Sequence, residues 1–146
     1  MADLGTLDYY GRGNSDAYAI NNNGRVVGRT QLAVNGNYHA FLTEDAKSIL
    51  QSLGSDLGTL PGGTTSYAYG VNSSDQVVGK STVSGGAYHA FLFCNGQMYD
   101  LNNLVPITSG WVFTVAYGIN DSGQIVGVGT HTINGQPLTR GFILNP

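Results

Sequence analysis

The stretch AYGINDSGQIVG at residues 116–127 decides the fold, because the chain contains two further versions of it. They are AYAINNNGRVVG at residues 17–28 and AYGVNSSDQVVG at residues 68–79. From the Ala that opens each version to the next, the spacing is 51 and then 48 residues. Propeller blades of four strands repeat with a period of about 40–50 residues. The sequence therefore predicts three copies of one small β unit.

Each version predicts a strand, a tight turn and a return strand. In the first unit, residues 18–20 begin a β run, residues 21–24 form a type I turn that ends in a left-handed residue, and residues 25–28 return. An Asn opens the turn, where its side chain can bond the backbone two residues further on. The turn ends in residue types that tolerate a positive φ, which are Gly24, Asp75 and Gly123.

Two further segments recur around this motif and supply the third and fourth strands of a unit. The third-strand segment is YHAFL, or TRGFIL in its last copy, at residues 38–42, 88–92 and 139–144. The fourth-strand segment is DLGTL, or DLNNL in its last copy, at residues 3–7, 56–60 and 100–104. We expect one all-β, β-propeller-like domain over residues 1–146, with four-stranded antiparallel units at about 3–55, 56–99 and 100–146.

The order of these segments predicts how the chain closes. The third unit has no DLGTL segment after its third strand, whereas residues 3–7 precede the first unit. We therefore expect this N-terminal strand to complete the last unit, in the same chain or in a partner, and so to remove a sheet edge. Propellers usually have four to eight blades. Two alternatives follow, namely a homodimer that forms a six-bladed ring and a closed three-fold trefoil or prism.

Composition argues against several classes of partner. The 146 residues include only six Lys and Arg and have a net charge of −3, so no basic patch for nucleic acid or anionic membrane is expected. No apolar run approaches the roughly 18 residues of a membrane span, and the first residues do not form a signal peptide. Cys94 is the single cysteine, so it is expected to pack rather than to form a disulfide or a zinc site.

The repeated DLGTL, AYGINDSGQIVG and YHAFL segments resemble the HAF repeat family, also called probable extracellular repeat proteins, over essentially the whole chain. This resemblance implies an all-β, propeller-like fold in a bacterial protein that is secreted or held in the cell envelope. It implies no particular activity.

Polar residues at equivalent repeat positions are candidates for a metal site. His39 and His89 occupy one position, but the third unit has Arg140 there, and an arginine is permanently protonated and cannot bind a metal. We therefore expect these side chains to bond the neighbouring unit. Asn and Asp in the turns lack the pattern of an EF-hand, although a shared Ca²⁺ on a ring axis stays open.

A ligand site is expected where the repeat symmetry breaks, in the loops between the fourth strand of one unit and the first strand of the next. The loops differ strongly between units, and their aromatic faces suit sugar rings. The candidate ligand-binding residues are Tyr9, Tyr10, Arg12, Asp16 and Trp111. The alternative for Trp111 is an ordinary packing residue.

Enzyme motifs of the common hydrolase, protease and nucleotide-binding types are absent from the sequence. Glu44 is the only Glu, and Asp8 with Asp16 is the only non-repeated pair of Asp residues close in sequence. The leading hypothesis is a binding module for a carbohydrate or another small or surface ligand. The alternative is a small Ca²⁺-assisted hydrolase of a lactone or glycoside, and a third possibility is a purely structural repeat.

Overall fold

A computed structural model describes residues 3–8, 12–32, 36–43 and 55–146 of the chain. Within these residues the regular structure is β, apart from two short 3₁₀ helices at Leu101–Asn103 and Ile107–Ser109. The strands are β1 (Ser15–Ile20), β2 (Val26–Gln31), β3 (Tyr38–Leu42), β4 (Ser66–Val71), β5 (Val77–Thr82), β6 (Tyr88–Cys94), β7 (Gln97–Asp100), β8 (Trp111–Ile119), β9 (Ile125–Ile133) and β10 (Gln136–Leu144).

These strands form three antiparallel sheets, one for each repeat, so the all-β prediction is confirmed over the described residues. The first sheet has the order β1-β2-β3, the second β4-β5-β6-β7 and the third β10-β9-β8. Of the three, only the second has the expected fourth strand. In the first sheet that place is taken by a single bridge between Phe41 and Asp56, at the register where Phe91 faces Asp100 in the second.

The repeated turns have the predicted geometry. The last residue of each turn is left-handed, with φ of 77° at Gly24, 59° at Asp75 and 78° at Gly123. In the second unit, the Oδ1 atom of Asn72 accepts hydrogen bonds from the backbone N–H groups of Ser74 and Gln76, at 3.1 and 3.0 Å. The amide side chain therefore closes the turn that it opens.

A β-bulge follows the same residue in every repeat motif. The pairing register shifts around Tyr18 in β1, Tyr69 in β4 and Tyr117 in β8, so each of these tyrosines is an extra residue in its strand. The glycine that pairs beside the bulge has no room for a side chain. A Cβ atom on Gly79 would collide with the carbonyl oxygen of Tyr67 and lie 2.9 Å from the Phe91 ring.

The core consists of two packed joints between successive sheets. In the first joint β2 and β3 pack against β4, and in the second β5 and β6 pack against β8. The buried residues of the first joint are Val27, Ala40, Leu42, Leu57, Leu60, Ala68, Val77 and Phe91. Those of the second joint are Val78, Ala90, Leu101, Phe113, Ala116, Ile125 and Phe142.

The turns also join one unit to the next. The Nδ2 group of Asn21 donates to the backbone oxygen of Asn72 at 2.9 Å. In the same way, the Nδ2 group of Asn72 donates to the backbone oxygen of Asn120 at 3.1 Å. The same amide side chain therefore closes its own turn through its oxygen and bonds the following unit through its nitrogen. This double role explains why the motif is repeated.

Residues 3–7 do not complete the third sheet in this chain. Leu4 and Leu7 pack instead against Val26 and Phe41 of the first sheet. In the described part of the chain the third sheet has three strands, no bridge joins residues 3–7 to β10, and no barrel or propeller closes. The reason is that the DLGTL segment also bonds the unit that follows it in sequence. The backbone N–H of Leu7 donates to Thr30 Oγ1 at 3.0 Å, and the equivalent N–H of Leu60 donates to Ser81 Oγ at 2.9 Å.

Candidate functional site

The most extended aromatic feature of the molecule is a cluster that we call the tyrosine surface. It forms because the tyrosine at each bulge and the tyrosines on neighbouring strands lie on the same side of successive units. Its members are Tyr18, Tyr38, Tyr67, Tyr69, Tyr88 and Tyr117.

The three bulge tyrosines form a row that crosses all three sheets. The ring centres of Tyr18 and Tyr69 lie 5.3 Å apart, and those of Tyr69 and Tyr117 lie 5.7 Å apart. Both ends of the row are open to solvent, since Tyr18 is 43% and Tyr117 is 55% exposed. The repeat therefore places one aromatic ring per unit in a continuous row with a half-buried centre, Tyr69, and exposed ends.

Two cations lie against these rings. The Lys80 ammonium is 4.4 Å from the ring centre of Tyr88 and 4.9 Å from that of Tyr67. The Arg29 guanidinium carbon is 5.2 Å from the Tyr67 ring centre, and Arg29 Nε also donates to Asp16 Oδ2 at 2.6 Å. Within the described residues Lys80 forms no ion pair, so its charge is balanced only by aromatic faces.

Burial or neighbouring groups raise the pKa of two members of the site. Burial, followed by the effect of the neighbouring Tyr18, Tyr67 and Tyr117 phenols, raises the pKa of Tyr69 to about 12. Burial opposes the charge of Arg29, yet its hydrogen bond to Asp16 raises the net pKa of that guanidinium. At neutral pH the Tyr69 hydroxyl is therefore neutral and the Arg29 guanidinium is positively charged.

A second candidate site is a groove beside Trp111, in the loop where the third unit departs from the repeat. The cavity is about 600 Å³ in volume and is lined by polar and apolar groups from the second and third units. The Trp111 ring stacks on His131 with centres 4.5 Å apart and planes within 6°. Asn102 fixes the wall, because its side chain exchanges two hydrogen bonds with the backbone of Phe113, at 2.7 and 3.0 Å.

The repeated histidines bond carboxylates that come from the fourth-strand segments. His39 Nδ1 lies 2.9 Å from Asp56 Oδ1, and His89 Nδ1 lies 2.6 Å from Asp100 Oδ2. Burial of Asp56 acts against its charge, but the hydrogen bonds from His39 and from the Gly58 backbone lower its pKa overall. The pairs are thus internal to a sheet and its fourth strand. His89 alone of the two lines the Trp111 groove.

The predicted loop residues that the structure describes have different surroundings. Asp16 belongs to the edge of the tyrosine surface through Arg29, whereas Arg12 is exposed and its backbone N–H donates to Asp8 Oδ2 at 2.9 Å. Trp111 lies in the third unit, on β8. The candidates Tyr9 and Tyr10 lie outside the described residues.

Sequence reasoning missed the tyrosine surface although its signal was present. Each AYGIN-type motif has a Tyr at its second position, and two of the three units add a Tyr before the His of the third strand. A residue that is repeated at a bulge position points to a shared surface, but only the packing of units shows that the rings touch.

No metal site is apparent in the described ranges, where no three His, Cys, Asp or Glu side chains come together in a way that could hold an ion. The same residues include no helix with the length and apolar character needed to cross a membrane.

Comparison with known proteins places the chain in a family without assigning an activity. Residues 9–114, which are most of the chain, match the family described as "Protein of unknown function (DUF3466)". No curated protein and no solved structure is significantly similar to the chain.

Proposed function

The chain belongs to the DUF3466 family, and from its geometry we propose that it is a repeat-type binding module that recognises a carbohydrate across the tyrosine surface. The observation that carries this proposal is the row of Tyr18, Tyr69 and Tyr117, with exposed ends, a half-buried centre and neighbouring ring centres 5.3 and 5.7 Å apart. A row of rings offers apolar faces in series, and phenol hydroxyls beside them can donate or accept hydrogen bonds. That combination suits a chain of sugar rings.

The cations refine the choice of ligand. Lys80 lies between Tyr67 and Tyr88 without an acidic partner among the described residues, whereas Arg29 is paired with Asp16. The surface therefore has one positive charge that a ligand can neutralise. A glycan that carries carboxylate groups fits this charge better than a neutral one does.

The architecture that we propose for this module follows its repeats. We propose that the three sheets are blades of a propeller-like array and that the resemblance to the HAF repeat family reflects this arrangement. In such an array the first strands of the blades lie nearest the axis, so the tyrosine row would face the axis side. The proposed secreted or envelope setting rests on the same resemblance.

Binding can be tested by titrating acidic and neutral oligosaccharides, chosen from a glycan array, into the protein by calorimetry. Tyr69→Ala removes the central ring of the row, so we expect it to weaken binding at least about tenfold, the effect of losing roughly 1.4 kcal/mol. The matched control is Tyr99→Ala, since Tyr99 is also partly exposed but lies on β7, outside the row. Loss of binding in Trp111→Ala but not in Tyr69→Ala would move the site to the groove and overturn this assignment.

The second candidate function is the Ca²⁺-assisted hydrolysis of a lactone or glycoside. It is favoured by one observation, the His89–Asp100 pair at 2.6 Å on the rim of the Trp111 groove. A histidine held by a carboxylate is suited to act as a general base. Turnover of lactone or aryl-glycoside substrates that a chelator abolishes would support this function over simple binding.

A further inference from the structure

In the first two units, one face of the sheet packs against the following sheet. The third sheet has the same apolar face, but no described residue covers it. Val27 in the first unit and Val78 in the second are each 0% exposed, because the following sheet covers them. Val126 occupies the same place in the repeat and is 46% exposed. On β10, Ile143 is likewise exposed where Leu42 of the first unit is buried.

The edge of β10 also lacks the strand that its counterparts have. In the second sheet β7 pairs with β6 so that Asp100 is opposite Phe91, and Asp56 is opposite Phe41 in the first sheet. The equivalent residue on β10 is Phe142, and within the described residues nothing is paired along that edge. Arg140 occupies the repeat position of the paired histidines and makes no ion pair with any described residue.

The complementary half of this joint lies at the opposite end of the same chain. Ala17 is exposed, although its equivalents Ala68 and Ala116 are fully buried in the two joints. Asp3 begins the DLGTL segment, as Asp56 does in its own unit, but has no basic partner among the described residues. Its carboxylate accepts only the local bond from the backbone N–H of Gly5 at 2.9 Å, which matches the bond from Gly58 to Asp56.

The turns of the first and third units also have groups whose equivalents elsewhere form a hydrogen bond between units. Asn120 in the third unit accepts the backbone N–H of Gln124, and its Nδ2 group donates to Gln124 Oε1 at 2.7 Å, as that of Asn72 donates to Gln76 Oε1 at 2.6 Å. Asn72 Nδ2 also donates to the next unit, whereas among the described residues Asn120 Nδ2 has no such second acceptor. At the other end, the backbone oxygen of Asn21 accepts only from Gly24 within its own turn. Asn72 and Asn120 each accept there from the preceding unit as well.

We propose that the third sheet of one copy docks on the first unit of a second copy through a third joint of the same kind. Residues 3–7 of the second copy lie along the edge of β10, with Asp3 opposite Phe142 and its carboxylate on Arg140. Val126 and Ile143 are covered by Leu4 and Ala17, and Asn120 donates to the backbone oxygen of Asn21. Replacement of His by Arg at this position keeps a hydrogen-bond donor opposite the aspartate.

The contact is head-to-tail, so each copy uses both of its ends. Two copies joined in this way place six units in one ring about a two-fold axis, whereas an unclosed contact would grow into a filament. Six units fall within the usual range of four to eight blades. This inference does not rest on the proposed ligand, and its test is independent of binding.

The test is the mass in solution, measured by sedimentation at protein concentrations up to about 0.1 mM, which detects micromolar association. The wild-type chain is expected at twice its 15.3 kDa mass. Arg140→Glu places two acids together, and Asp3→Arg two cations, so each is expected to raise the dimer Kd about 100-fold or more. The double variant Arg140→Glu with Asp3→Arg restores the opposite charges and should recover the dimer.

Two controls keep the proposal open to failure. Lys80→Glu reverses a charge outside the joint and should leave the dimer intact, and circular dichroism checks that every variant is folded. A wild-type chain at 15.3 kDa throughout would overturn the proposal. So would a dimer that Arg140→Glu and Val126→Asp leave unchanged, while a larger assembly with the same sensitivities would support the joint and contradict the two-copy ring.

Discussion

At the scale of single residues, the repeat is held by side chains that perform two tasks at once. Asn72 closes its turn through Oδ1 and reaches the next unit through Nδ2. Asp56 behaves similarly, because it accepts the backbone N–H of Gly58 at 2.8 Å and also binds His39. Such residues are constrained from two sides, which explains why the same letters return at each repeat.

The His39–Asp56 pair predicts an acid-dependent stability. The Asp56 pKa is below its ordinary value of 3.8, despite the opposing effect of burial, so the native state favours the ionised form. Its contribution is therefore present above about pH 4 and is lost as the pH falls through the lower native pKa. We expect Asp56→Asn to flatten the decline of the unfolding free energy below about pH 4, measured by urea denaturation. His39→Gln should flatten it as well; an unchanged slope in both variants would contradict this assignment.

At the scale of elements, the unit is a turn and a bulge set into a meander of short strands. The predicted strand over residues 38–42 agrees with β3 at both ends. The left-handed turn residues were predicted as well, and Gly24, Asp75 and Gly123 have φ of 77°, 59° and 78°. Such agreement is expected because turn geometry depends on residues within a few positions of each other. The bulges at Tyr18, Tyr69 and Tyr117 were not predicted, since a bulge is defined by the register with the partner strand and not by the bulged strand alone.

The turn predicts a difference between equivalent asparagines. Asn72→Ala removes the bonds from the Ser74 and Gln76 backbone, the bond to the Gln76 side chain and the bond to the next unit, so we expect a loss of about 2–3 kcal/mol in unfolding free energy. Asn120 forms the two bonds to Gln124 but neither an equivalent of the Ser74 bond nor a bond to a following unit in the described chain, so Asn120→Ala should cost about 1 kcal/mol less. Both are compared by chemical denaturation in the Arg140→Glu background, in which copies are expected to stay apart. Equal losses would show that the bond between units contributes nothing.

At the scale of the whole molecule, stability resides in the joints between sheets. The two clusters hold nearly all the large buried side chains of the described residues, and each draws on two successive units. A single unit cannot bury both faces of its sheet, so neighbouring units stabilise each other as in other repeat proteins. For the same reason, the outer faces of the first and third units are not covered by another unit among the described residues.

Equivalent valines should therefore differ in cost. Val78→Ala removes two buried methyl groups from the second joint and should lower the unfolding free energy by about 1.5–3 kcal/mol. Val126→Ala, at the exposed equivalent position, should change it by less than about 0.5 kcal/mol when the copies are kept apart by Arg140→Glu. Denaturation midpoints at constant m-value measure the two losses of unfolding free energy. Equal losses would mean that part of the same chain covers Val126 in the monomer.

The sequence by itself determined the repeat, the all-β class, the turns with their left-handed residues and most strand positions, because these depend on local sterics and on short-range hydrogen bonds. Only the tertiary structure decided that Tyr18, Tyr69 and Tyr117 form one row and that Asp16 and Trp111 lie in different places. It also decided that residues 3–7 lie on the first sheet and leave the outer edge of β10 without a partner strand within the described chain. The rotation from one unit to the next is set by side-chain packing in the joints, between residues about 50 positions apart, and no local pattern encodes it.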